Sequence, residues 1–128
     1  MFTLRNMTAL ALFLFGSTFL WLTPSFLGGK REVGGITWTV LQGLVLLAIL
    51  GFSLAAWGVF KGTSWWQLAA LISGAVGIAA VIPYWIATRG IPGVENVGSN
   101  LAIHGLGSLV LIAALVVPLF RDWLVARL

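Results

Sequence analysis

The chain has 128 residues, of which 60% are hydrophobic and only 8% charged. Seven basic and three acidic side chains cannot cover the exterior of so apolar a water-soluble fold, and a mean hydropathy of +1.08 makes a bilayer the expected solvent. The formal charge of +4 is spread over the ends of apolar runs and offers no basic face for nucleic acid, while the absence of cysteine excludes disulfides and thiolate metal sites.

The first apolar run, Met7 to Leu27, follows Arg5 and closes at Gly28-Gly29. A signal peptide also begins with a basic residue before an apolar stretch, but this run is long enough to span a bilayer and lacks a small-x-small cleavage site. It is therefore read as a first transmembrane helix. It contains no acid, which separates the chain from small multidrug transporters of similar size and layout, whose first span carries a glutamate.

Lys30-Arg31-Glu32 makes a charged loop, and Ile36 to Phe60 is the second predicted span. After the turn Lys61-Gly62-Thr63-Ser64 comes a third, Trp65 to Thr88. The connector Arg89 to Ser99 is rich in turn residues and leads to a fourth span, Asn100 to Phe120, followed by an amphipathic tail from Arg121 to Arg127. At about 1.5 Å per residue, each run covers the roughly 30 Å hydrocarbon core. Short connectors make neighbouring helices antiparallel. The expectation is a single all-α membrane domain over residues 1–128, a four-transmembrane-helix antiparallel bundle.

Tryptophans agree with this layout. Trp21, Trp38 and Trp85 fall near one predicted membrane face, and Trp57, Trp65, Trp66 and Trp123 near the other, as in an interfacial aromatic belt. The side holding both ends of the chain carries Arg5, Lys61, Arg121 and Arg127, against Lys30, Arg31 and Arg89 opposite. That bias predicts both termini in the cytoplasm, in a cytoplasmic membrane of prokaryotic type, with the basic residues serving as snorkelling anchors and contacts for anionic headgroups.

Small residues recur on two predicted helix faces. Ala70, Ser73, Gly77 and Ala80 follow spacings of three and four between Gln67 and Tyr84, with Gly74 alongside; Gly51, Ala55 and Gly58 form a shorter stripe on span two. Lipid gives apolar side chains no reason to prefer a protein neighbour, whereas small residues let helix backbones approach closely. Both stripes are read as helix-packing seams, with a pore lining as the alternative for the longer one.

The fourth run holds His104, the only histidine. Asn100, His104 and Ser108 recur every four residues and stack as one polar stripe beside Gly107. Counting inward from the same face puts Thr23, Gln42 and Tyr84 at similar depth, so these groups are candidates for a polar pocket with Asn100 at its mouth. Polar groups at that depth need partners, since an unsatisfied one costs several kcal/mol in hydrocarbon. The competing reading is a structural histidine bonded to a neighbouring helix. Haem ligation would need a second axial ligand from another subunit, so the sequence implies no cofactor or metal.

Chemistry is otherwise sparse. Glu32, Glu95 and Asp122 all lie at the ends of spans, no hydrolytic triad or phosphate-binding glycine loop is present, and no enzyme activity is expected. Two functional classes remain. One is a structural or accessory subunit of a larger membrane complex, with lipids and other membrane subunits, or copies of itself, as partners. The other is a small oligomeric channel or carrier built around His104.

Overall fold

The computed structural model describes residues 3–22, 35–89 and 97–128. The described chain is all-helical, without a strand. Helix α1 runs Leu4–Ser17 and tightens into a 3₁₀ segment, Thr18–Leu22; α2 is Ile36–Lys61 and α3 is Trp66–Arg89. A short α4, Val97–Leu101, passes through a π turn, Ala102–Leu106, into α5, Gly107–Val116; α6 is Pro118–Arg127. Among the described residues, three helices are long and apolar enough to cross a membrane: Ile36–Lys61, Trp66–Arg89 and the composite Val97–Val116.

Each boundary has a local cause. Helix α1 starts ahead of the apolar run because Thr3 caps it, its hydroxyl accepting from the Asn6 amide at 3.2 Å. Helix α2 stops at Gly62, whose φ of +72° suits a residue without Cβ, and the Gly62 and Thr63 amides close onto Val59 and Gly58 carbonyls. The fourth apolar run does not continue to Phe120. Pro118 lacks an amide hydrogen and pushes the residue before it out of the helical region. Val117 is accordingly extended at ψ 117°, and α6 begins with Pro118 at its start. Apolarity continued across that point, but the backbone did not.

The helices pack as antiparallel neighbours. Gly51 faces Ser73 and Gly58 faces Trp66 across α2 and α3, while Gly77 faces Ser108 and Gly74 faces Ile112 across α3 and α5. A Cβ added at Gly58 would come within 2.7 Å of the Trp66 side chain, and one at Gly16 within 2.5 Å of Phe52. Ala55, Ala70 and Ala80 are fully buried along the same seams. Backbones therefore approach where the small residues lie.

The tryptophans differ in how they face the bundle. Trp21, Trp57, Trp65, Trp85 and Trp123 are exposed, but Trp38 and Trp66 are buried in the core. Depth along a span does not determine rotation about it, and these two indoles turn inward.

Candidate functional site

The polar residues of the fourth run sit at the join between two irregular backbones, the π turn and the 3₁₀ end of α1. His104 is fully buried there. Its Nδ1 lies 2.8 Å from the Asn100 carbonyl oxygen, which only accepts, so Nδ1 carries hydrogen and donates. Its Nε2 lies 3.0 Å from the Thr18 carbonyl and 3.1 Å from the Thr18 hydroxyl. A neutral ring accepts there from the hydroxyl, which also sits 2.6 Å from the Phe15 carbonyl. One hydroxyl hydrogen thus faces two acceptors.

Aromatic rings close the space around the imidazole. Phe19 packs edge-on at 4.6 Å between centroids, with Trp21 at 6.1 Å and Phe15 at 6.3 Å. Phe15 and Phe19 in turn contact Phe52 of α2 at 5.2 and 5.7 Å. Phe15 also lies over Gly107, where a Cβ would meet its ring at 2.7 Å. Gly107 therefore has a packing role beside the polar stripe, letting α1 come close to α5.

At the other end of the stripe, the Asn100 amide donates to the Tyr84 hydroxyl at 3.0 Å, tying α4 to α3. Tyr84 is fully buried and Asn100 nearly so. Of the five residues expected to converge, three do: His104, Asn100 and Tyr84. Gln42 does not. It is exposed on α2, one position past the buried Leu41. Thr23 lies outside the described residues, and the α1 partner of His104 is Thr18, which sequence reasoning missed. The available signal was a Gly-Ser-Thr step, Gly16-Ser17-Thr18, in an otherwise apolar run.

Ser108 presents a different problem. Its hydroxyl is fully buried and has no hydrogen-bond partner. Three other helical serines, Ser17, Ser53 and Ser73, each donate to the carbonyl four residues back. For Ser108 that carbonyl belongs to His104, inside the π turn. With the turn's altered spacing the hydroxyl makes no bond to that carbonyl and lies beside Gly77 instead. Ser108→Ala should therefore raise stability by about 1 kcal/mol, because an unpaired buried donor disappears with little change of volume. Equilibrium unfolding in detergent would read the difference. A loss of similar size would mean that the hydroxyl has a partner, such as a buried water.

Comparison with known proteins adds no relative: no family model, curated protein or solved structure matches the chain.

Proposed function

We propose that the chain is a small structural or accessory subunit of a larger multi-subunit membrane complex. In this reading it is an integral membrane protein with four spans, the first of them α1 with its 3₁₀ extension, and with both ends of the chain on the cytoplasmic side. The observation that carries the reading is the environment of His104. The imidazole is fully buried in the described bundle, tied to the Asn100 carbonyl and to Thr18 and surrounded by rings, an arrangement suited to joining helices rather than to admitting a solute. Close helix seams and minimal loops fit the same role.

A small oligomeric channel or carrier is the second reading. It is favoured by the π turn at His104 and the unpartnered Ser108 hydroxyl, since π turns often occur at functional sites. Mild detergent extraction from native membranes followed by intact-complex mass spectrometry separates the two. An accessory subunit is expected in particles with chains of different mass. Particles containing only copies of this chain would remove the accessory reading in favour of the channel or carrier.

A further inference from the structure

Gln42, which does not reach His104, is exposed on α2, and its amide makes no hydrogen bond among the described residues. Two other polar groups of that helix are provided for. The Thr39 hydroxyl donates to the Gly35 carbonyl, and the Ser53 hydroxyl to that of Ile49. Helix α2 is 26 residues long and apolar enough to cross a membrane. Gln42 stands about 9 Å along it from Ile36 and one turn inside Trp38, where a helix of that length has entered the hydrocarbon. An unpaired amide facing lipid is costly there, and a hydrogen bond to another helix removes the cost.

The surface around Gln42 fits a second helix. Thr39, Gln42, Gly43, Leu46 and Leu50 are all exposed and share an arc of about 100°. Trp38, Leu41, Val45 and Ala48 are buried on the opposite side, against the core. Nothing lies within 4 Å of a Cβ added at Gly43, so a neighbouring backbone can come close beside the amide. Leu46 and Leu50 continue the face, each with more than half of its surface open.

The chemistry of the amide selects the partner. A carboxamide carries both donors and an acceptor, and therefore complements another carboxamide. Two copies inserted the same way hold Gln42 at one depth, and a two-fold axis along the membrane normal brings identical residues together. A different protein would need its own polar side chain at that depth. We infer that the chain pairs with a second copy of itself through α2, the two Gln42 amides bonded to each other across the axis and Leu46 and Leu50 packed alongside. The interface stands with either functional reading, because a pair of copies fits inside a larger complex as well as in a channel. It rests on α2 lying in the bilayer.

The chain has no cysteine, so a single introduced cysteine reports without background. Fluorophores on Ser64→Cys, in the exposed turn after α2, would read energy transfer between copies of the full chain in phosphatidylcholine vesicles. Transfer should fall as lipid dilutes the protein, and Gln42→Leu should raise the dissociation constant about tenfold. Gln42→Asn, which keeps the amide on a shorter stem, should recover part of that loss. Gly43→Leu should weaken pairing too, although its Cβ position is open within a single copy. In native membranes, mild oxidation should link Leu46→Cys to its counterpart in a second copy and leave Ile82→Cys single. Ile82 is exposed at a similar level, lining a groove with Val40, but on α3.

Pairing of Gln42→Leu as tight as that of wild type would show the amide turned back to interfacial water, and would overturn the interface. Wild-type chains that stay single at every dilution would do the same. Cross-linking at Ile82 rather than Leu46 would place the contact on another face and equally overturn it. The subunit composition of native particles is a separate measurement, so the accessory reading stands or falls independently of these results.

Discussion

Gly77→Leu is expected to destabilise the bundle by about 3 kcal/mol, the upper part of the range for overpacking. Even a bare Cβ at position 77 would lie 2.7 Å from both the Phe19 ring and the Ser108 hydroxyl. Neither neighbour has an easy way out. Phe19 is fully buried and locked between Phe15, Phe52 and His104, and Ser108 is fully buried on α5. The substitution therefore separates α3 from α5 and pushes on the aromatic cluster that holds α1. Gly43→Leu is the matched control: nothing lies within 4 Å of its Cβ position, and removing a helical glycine should stabilise slightly. Reversible unfolding of both variants in detergent provides the comparison. Equal stability of Gly77→Leu and wild type would place α3 and α5 apart.

That seam was legible in the sequence because it depends on residue size. Gly51, Gly58, Gly74 and Gly77 lie at helical spacings, and each faces a neighbouring helix or turn across a distance a Cβ would crowd. The long helices were legible as well, within a residue or two at Ile36–Lys61 and Trp66–Arg89, since glycine and charge bound the apolar runs there. The polar site was only half legible. Counting residues inward gives depth along an axis, whereas contact also needs rotation about it. Gln42 illustrates the gap: one step from buried Leu41 turns it about 100° around the helix and out of the bundle. Thr18 was missed because it stands where α1 tightens into a 3₁₀ segment, which changes both the rotation and the rise per residue and so which side chain faces His104. Alignment of Asn100, His104 and Ser108 had the opposite fortune. A π turn takes more residues per turn than an α turn, which brings side chains four apart nearer to a single line. Pro118 carried its own signal, a helix break at the preceding residue, but continuous apolarity masked it.

His104→Ala should cost about 2–4 kcal/mol, combining a cavity in a closed aromatic cluster with the loss of interhelical hydrogen bonds. Full burial raises this above the value for an exposed or half-exposed histidine, because the surrounding rings cannot all move into the space. The loss should concentrate where α1 meets α4 and α5, since Nε2 alone bridges from the π turn to Thr18. His104→Gln should recover part of it. Its amide offers hydrogens to a carbonyl acceptor and an oxygen to the Thr18 hydroxyl, although it cannot fill the ring's place against Phe19. Hydrogen exchange at the Thr18–Leu22 segment would localise the effect, with alanine raising exchange there more than glutamine. The two functional readings diverge on a further measurement. If His104 joins helices, complex assembly should fall in proportion to stability across Ala, Gln and wild type. If it lines a solute path, Gln should keep assembly near wild type yet lose transport, and activity would no longer follow stability. Unchanged stability and unchanged exchange in His104→Ala would remove the tie between α1 and the π turn, and with it the observation on which the accessory-subunit reading rests.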